Sequence, residues 1–120
     1  MRGIGSIFME HDPKGYIFDI LQACNHINQF TAGKNFDEYT SDILLKSAVE
    51  RQFAIIGEAL SKVKKEEPNL LDQIRESEKI IAFRNVVVHG YDIISDQMVW
   101  DIVSTKIDNL IEDCKQIIDT

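Results

Sequence analysis

One short segment of the chain contains side chains that could act on a phosphate ester. Residues 83–91 have the sequence FRNVVVHGY, in which polar groups interrupt an apolar run. Arg84 offers a rigid guanidinium fork that suits a phosphate, and His89 can exchange a proton near neutral pH. Tyr91 supplies a hydroxyl group. These residue types predict acid–base chemistry on a phosphate. The alternative is that Arg84 and Asn85 cap helix carbonyls and His89 ends the helix.

The spacing within this segment limits how its side chains can meet. On a straight helix Arg84 and His89 are about 140° and roughly 7.5 Å apart, so they would not share one face. Asn85 and His89, four residues apart, would share one. A compact site therefore needs the helix to distort before His89, or it needs Arg84 and His89 from neighbouring subunits to meet across an interface.

The motifs of several other enzyme classes are absent. The sequence has no GxxxxGK[ST], GxGxxG, HExxH or GxSxG pattern, which argues against the enzyme classes that use them. His11, His26 and His89 do not have the spacing of metal ligands. We therefore predict that the chain has no metal site, and we interpret His26 as an exposed helix residue.

The spacing of apolar residues predicts four amphipathic helices that position this segment. The first begins at Asp12-Pro13. The second begins near residues 40–42 and runs to about Lys65, and Pro68 prevents it from continuing. Their apolar stripes include Ile17, Ile20, Leu21, Cys24 and Ile27 in the first helix, and Leu45, Val49, Ile56, Leu60 and Val63 in the second.

The third and fourth helices lie on either side of the reactive residues. Asn69 is predicted to cap a short turn, after which a further helix runs towards His89, and Gly90 is suited to end it. Ser95 is predicted to cap a single last helix with an apolar stripe over residues 99–118. Four amphipathic helices with short connections indicate a helical bundle.

Composition limits the class of protein. A chain of 120 residues fits one domain. The net charge of -7 argues against broad, non-specific nucleic-acid binding, which depends on cations, but it is compatible with a small basic pocket. Cys24 and Cys114 are too few and too far apart for a disulfide framework, so we expect two buried thiols in a reducing, cytoplasmic setting. No apolar stretch approaches the ~18 residues of a membrane span.

The segment from Arg84 to Tyr91 resembles the RxxxxHxY signature of HepT-like HEPN proteins, in the form RNxxxHxY. Residues 56–59, IGEA, match a pattern of the family's second helix, and Val99-Trp100 match the usual start of its last helix. The resemblance covers about residues 9–118. We expect a HEPN domain over residues 9–120, and we expect residues 1–8 to be a non-native or disordered leader.

The resemblance implies an all-α, antiparallel HEPN bundle of four to five helices that forms a homodimer, with two motifs at a shared cleft. It also implies a metal-independent endoribonuclease toxin without a cofactor, which leaves a 2′,3′-cyclic phosphate and a free 5′-hydroxyl on its RNA substrate. On this chain, Arg84 would stabilise charge on the phosphate, His89 would move protons and Asn85 would orient the pair. Tyr91 would be the site of AMP transfer by a minimal nucleotidyltransferase antitoxin.

Three features leave alternatives open. The chain could instead be a non-catalytic HEPN module that binds a nucleotidyltransferase partner or a nucleotide, which the acidic net charge favours. Gly57 and Glu58 could approach the motif, although we interpret them as helix packing. Trp100 could stack on a base, although a place in the core or in an interface is the expected one.

Overall fold

The computed structural model describes residues 12–89 and 96–119, and the side chains within this part except those of residues 84–89. The described chain forms seven helices and no strand, which confirms the predicted all-α fold. The helices are α1 (Pro13–Thr31), α2 (Phe36–Thr40), α3 (Ile43–Glu66), α4 (Pro68–Leu71), α5 (Ser77–His89), α6 (Asp96–Thr105) and α7 (Ile107–Asp119). The predictions for the leader 1–8, Gly90, Tyr91 and the Ser95 cap concern residues outside the described ones.

The first two long helices begin where the sequence predicts. The Asp12 side chain accepts a hydrogen bond from the Lys14 amide at 2.9 Å, and Pro13 takes the first helical position of α1. The Asp42 side chain accepts from the amides of Leu44 and Leu45 at 3.1 and 3.2 Å. Both aspartates therefore satisfy backbone donors that a helix start leaves without partners.

The short helix α2 was not predicted. Its start is a reciprocal capping box, in which the Glu38 amide donates to Asn35 at 2.8 Å and the Asn35 amide donates to Glu38 at 2.9 Å. The sequence contains this signal as Asn35-x-x-Glu38. Five residues are too few for a hydrophobic period to be visible.

The prediction that Asn69 caps the next turn is wrong. Helix α4 begins two residues earlier than an Asn69 cap requires, at Pro68, with Glu67 in the capping position and no side-chain capping bond. Proline accounts for the shift, because its fixed φ and missing amide suit the first helical position.

The last helix is broken, whereas the sequence predicts a single one. Helices α6 and α7 meet at Lys106, where the Thr105 hydroxyl donates to the Asp101 carbonyl at 2.6 Å. Such side-chain bonds to the preceding turn bend helices. Bonds from the amides of Lys106 and Leu110 to carbonyls four residues earlier, at 2.9 and 3.0 Å, pass through the bend. The apolar stripe therefore continues from α6 into α7.

Helix α3 is the centre of the bundle and packs against α1 on one side and α5 on the other, while α1 also packs against α7. The core residues on these helices are fully or almost fully buried, and Cys24 and Cys114 are among them, as predicted. Between α3 and α5, the rings of Phe53 and Phe83 meet edge to face, with centroids 5.4 Å apart at 81°.

The connection before α5 is fastened to α7. The Arg75 guanidinium donates to the buried Asp113 carboxylate, with Nη2 at 2.9 Å from Oδ1, and the Arg75 amide donates to Oδ2 at 2.9 Å. Glu76 follows with a φ of 66°, in the left-handed region. The contact between Arg75 and Asp113 therefore fixes the position at which α5 begins.

Candidate functional site

Helix α5 carries three of the four predicted site residues. Arg84, Asn85 and His89 lie in its second half, and His89 is its last residue. Because α5 is α-helical from Ser77 to His89, the helix does not distort before His89. The backbone therefore keeps positions 84 and 89 about 140° apart. The side chains of these residues, and all of Tyr91, lie outside the described structure.

The base of the motif is held by buried aromatic packing. Phe83, which immediately precedes Arg84, is only 5 % exposed, and Ile80 one turn earlier is 1 % exposed. Both lie on the face of α5 that packs against α3. By helical register, positions 85 and 89 fall on the opposite side of α5 from Ile80 and Phe83. The packing of Ile80 and Phe83 in the core therefore fixes the axial rotation of α5.

The start of α6 is tied to α2 and α3. Asp96 accepts a hydrogen bond from the Thr40 hydroxyl at 2.5 Å and forms a salt bridge with Lys46 at 3.2 Å. The hydrogen bond from Thr40 holds the pKa of the Asp96 carboxyl below its usual range, and Lys46 acts in the same direction. This anchor fixes one end of the connection between His89 and α6.

Next to this anchor lies an aromatic pair with a buried hydroxyl. Tyr39 is fully buried, and its ring lies 5.2 Å from that of Trp100, which agrees with a packing role for Trp100. No group within the described structure forms a hydrogen bond with the Tyr39 hydroxyl. Burial raises the pKa of Tyr39, and burial also raises the pKa of the nearby Glu50. Both groups are therefore held towards their neutral forms.

The IGEA pattern divides between the core and the surface. Gly57 is buried on α3, as helix packing requires. Glu58 is exposed, and with Arg51 and Lys62 it lines a groove of about 390 Å³ that also involves Tyr16 of α1. The glycine therefore has the packing position that we expect, whereas the carboxylate lies at the edge of a polar groove.

His26 is exposed, as predicted. Its Nδ1 lies 3.3 Å from the Gln52 side-chain oxygen, and its ring stacks on Phe30 with centroids 6.1 Å apart. Within residues 12–89 and 96–119, no three His, Cys, Asp or Glu side chains are grouped closely enough to hold a metal ion. None of the described helices combines the length and apolar character needed to cross a membrane.

Comparison with known proteins identifies the family. A family model described as ribonuclease HepT-like matches residues 20–117. The match includes all of α3 and all of α5, the helix that carries Arg84 and His89. The chain belongs to the HepT-like family. The fold and the resemblance predicted from the RxxxxHxY segment are thereby confirmed.

Several curated relatives resemble this HepT-like chain over most of their length. A protein of Methanocaldococcus jannaschii, named as a candidate RNase, is 31 % identical over 89 % of this chain and 88 % of its own. One of Caldanaerobacter subterraneus, also named as a candidate RNase, is 27 % identical over 88 % of this chain and 94 % of its own. One of Thermococcus cleftensis, named as a candidate ribonuclease HepT, is 28 % identical over 85 % of this chain and 92 % of its own. No solved structure matches significantly.

Proposed function

We propose that this HepT-like protein is an endoribonuclease that cleaves RNA without a metal ion, with Arg84 and His89 as its catalytic residues and Asn85 as a supporting residue. The observation that carries the proposal is the complete RNxxxHxY pattern of the sequence, with Arg84, Asn85 and His89 on α5, in a chain of the ribonuclease HepT-like family whose relatives are named as candidate RNases. The ribose 2′-hydroxyl would attack the neighbouring phosphate and expel the 5′-oxygen. The products would be a 2′,3′-cyclic phosphate and a free 5′-hydroxyl.

Each motif residue has a distinct part in this reaction. Arg84 stabilises the charge that develops on the phosphate, and His89 transfers protons to or from the reacting oxygens. His89 is the last residue of α5, where the partial negative charge of a helix C-terminus favours a protonated imidazole. Asn85 lies one turn before His89 and can orient it.

The proposed active form is a homodimer with two motifs at a shared cleft. Positions 84 and 89 lie about 140° apart on an undistorted helix, so one phosphate is more easily reached by Arg84 of one subunit and His89 of the other. Light scattering at micromolar concentration should give twice the chain mass of 13.7 kDa. A 13.7 kDa species that cleaves RNA at full rate would refute the shared cleft.

The test of the reaction is cleavage of single-stranded RNA in EDTA by the wild type, Arg84→Ala and His89→Ala. Both variants should lose at least about 100-fold in cleavage rate, the lower end of the contribution of general acid–base catalysis. Circular dichroism should show unchanged helical content, because alanine has the highest helix propensity of all residues. Cleavage that needs magnesium and survives His89→Ala would contradict the mechanism. Mass spectrometry of the products identifies the cyclic phosphate.

The proposed control of this activity is AMP transfer to Tyr91 by a minimal nucleotidyltransferase antitoxin, in a toxin–antitoxin pair within the cytoplasm. Tyr91 lies two residues after His89 in the sequence. A nucleotide attached there would crowd the cleft, and its phosphate would compete with RNA for Arg84. The Tyr91 hydroxyl would take the adenylyl group of ATP with release of pyrophosphate, so intact mass after co-expression with the antitoxin should increase by one adenylyl group, and Tyr91→Phe should remain unmodified. A modified protein that cleaves RNA at the wild-type rate would exclude this control.

The second candidate function is a non-catalytic module that binds the nucleotidyltransferase or its nucleotide. The net charge of -7 favours it, because an acidic surface repels RNA. The same cleavage assay decides between the two functions. If the chain is a non-catalytic module, neither the wild type nor His89→Ala should cleave RNA. Both should still bind the nucleotidyltransferase partner.

A further inference from the structure

A groove runs between α5 and α6 beside the motif. It encloses about 440 Å³. Its lining residues are spaced by three and four positions on each helix, so one face of α5 lies opposite one face of α6. We call it the α5–α6 groove, and it is lined by Lys79, Ala82 and Phe83 of α5, Met98, Asp101 and Ile102 of α6, and Lys106.

The groove has an ionic end and an end that points to the motif. Glu76 joins Lys79 and Lys106, with each ammonium nitrogen 3.6 Å from one of its carboxylate oxygens. This contact brings the start of α5 next to the end of α6, so the two helices run in opposite directions along the groove. The other end of the groove therefore lies where α5 ends at His89 and α6 begins at Asp96.

Helical register places the proposed general acid or base on the Ala82 edge of the groove, about 120° around α5 from Phe83 at its core-facing edge. Ala82 and His89 are seven residues apart, which is two turns, so their positions share one face of α5 about 10.5 Å apart. Position 84 lies on a different face, since it is two residues beyond Ala82 and therefore about 160° away from it around the helix. A ligand in the groove would thus be a close neighbour of a phosphate held at His89.

The walls of the groove suit a flat aromatic ring. Met98 is 48 % exposed and is one of three exposed large hydrophobic residues in the described structure. Ile102 is half-buried next to it, and on the α5 side the groove is lined by the exposed Ala82, with the nearly buried Phe83 at its base. Exposed apolar surface that is concave and framed by charged groups is typical of a binding site, and methionine adapts well to different ligand shapes. A nucleobase that stacks here would remove this surface from water.

The polar groups of the groove add selectivity. At the ionic end, two ammonium groups share the single Glu76 carboxylate, which leaves one positive charge in excess for a phosphate. Asp101 lies on the α6 side, where its Oδ1 accepts from the side-chain Nε2 of Gln97 at 2.9 Å, and its Oδ2 is a second acceptor of the same exposed carboxylate. A carboxylate accepts hydrogen bonds from the amino groups of cytosine and adenine, whereas uracil has no amino group.

We propose that the α5–α6 groove binds an unpaired RNA base beside the cleaved phosphate and that Asp101 makes it favour bases with an amino group over uracil. The proposal rests on the proposed ribonuclease function for the identity of its ligand. It assigns the recognition of single-stranded RNA to residues outside the RxxxxHxY motif. An acidic chain can then hold its substrate by stacking and hydrogen bonding in one place, without a broad basic surface.

The test measures binding to the full chain carrying His89→Ala, which is expected to bind RNA without cutting it. Fluorescence anisotropy is recorded with fluorescein-labelled hexacytidylate and hexauridylate. Hexacytidylate should bind several-fold more tightly than hexauridylate. Asp101→Asn should remove the difference, because an amide can donate to uracil as well as accept from cytosine.

A groove-filling variant tests the location. Ala82 is exposed, so Ala82→Trp occupies the groove without entering the core. It should weaken hexacytidylate binding by at least about fivefold, the lower limit for the loss of one stacked base. Ser104→Trp is the matched control, since Ser104 is also exposed, lies on α6 and is not part of the groove. It should leave binding unchanged.

The possible outcomes separate this proposal from the proposed function. If the wild type cleaves RNA but the two probes bind equally and Ala82→Trp has no effect, the groove proposal is wrong and the ribonuclease remains. If the wild type does not cleave RNA but the base preference depends on Asp101, the groove is a nucleotide site and the catalytic proposal fails. If Ala82→Trp halves the mass in light scattering while Asp101→Asn leaves the preference intact, the groove is a subunit contact and the proposal is overturned.

Discussion

The edge-to-face pair of Phe53 and Phe83 should stabilise the contact between α3 and α5 beyond the burial of the two rings. Phe53 is fully buried, Phe83 is 5 % exposed, and their centroids are 5.4 Å apart at 81°. This geometry is the one in which the positive edge of one ring meets the negative face of the other. Such a pair contributes about 0.5–1.5 kcal/mol in addition to area burial.

A double-mutant cycle isolates that contribution. Phe→Leu nearly conserves apolar volume and costs less than about 1.5 kcal/mol by itself. With the lost ring contact, each single variant should lose about 0.5–3 kcal/mol. The pair is lost only once, so the double variant should be destabilised by about 0.5–1.5 kcal/mol less than the two single values added. A domain of this length has a free energy of unfolding of about 6–18 kcal/mol, so every variant should still fold.

The free energies of unfolding come from urea titrations followed by circular dichroism, all at one protein concentration because a dimer is stabilised by mass action. Phe30→Leu combined with Phe83→Leu is the control, since Phe30 lies on α1 and stacks on His26 instead. That pair should be additive. Additivity of the Phe53 and Phe83 variants within about 0.3 kcal/mol would refute the reasoning, because it would mean that the rings contribute only their burial.

Two further predictions concern parts of the frame around the motif. Asp42→Ala removes the side chain that accepts from the Leu44 and Leu45 amides at the start of α3, so it should cost about 1 kcal/mol and lower Tm by a few degrees, whereas Asp42→Asn should cost little. An unchanged Tm in Asp42→Ala would show that the cap does not stabilise the fold. Burial raises the pKa of Cys114 to about 12 and raises that of Cys24 as well, so a disulfide reagent at pH 8 should react with both thiols only after denaturant is added. Rapid reaction of the folded protein would contradict their burial.

The same burial predicts how stability depends on pH. In the unfolded chain the cysteine pKa is about 8.5, and in the folded chain it is raised, so the folded state holds the thiol protons more tightly. The contribution of the two thiols to the free energy of unfolding is therefore fully present below about pH 8.5. It is lost as pH rises through the pKa values of the folded state.

Local sequence signals were sufficient for the elements that they directly encode. Asp12-Pro13 and Asp42 begin α1 and α3 in the structure because a capping carboxylate acts within three residues of the helix start. Cys24 and Cys114 are buried because each lies on a periodic apolar stripe. The family was also accessible, since the RxxxxHxY segment, IGEA and Val99-Trp100 occur in order in the sequence.

Local sequence signals did not predict the start of α4, the bend between α6 and α7 or the short helix α2. Asn69 is a good capping residue, but Pro68 occupies the first helical position, so α4 starts two residues earlier than an Asn69 cap would start it. The apolar stripe of residues 99–118 has no gap at Lys106, because a bend made by the Thr105 hydroxyl does not change the hydrophobic period. Helix α2 has a clear capping box and too little length for any period.

By itself the sequence determined which residues could do chemistry and the family to which the chain belongs. Residue type and short-range spacing are properties of the sequence alone. The tertiary structure alone decided that α5 remains helical to His89, which keeps positions 84 and 89 about 140° apart. It also decided that α5 and α6 run in opposite directions beside a groove lined by both helices. Those features depend on how distant segments of the chain pack. Glu76, for example, forms a salt bridge with Lys106, which lies 30 residues later in the sequence. Periodicity within one helix contains no information about which face of a distant helix will lie opposite.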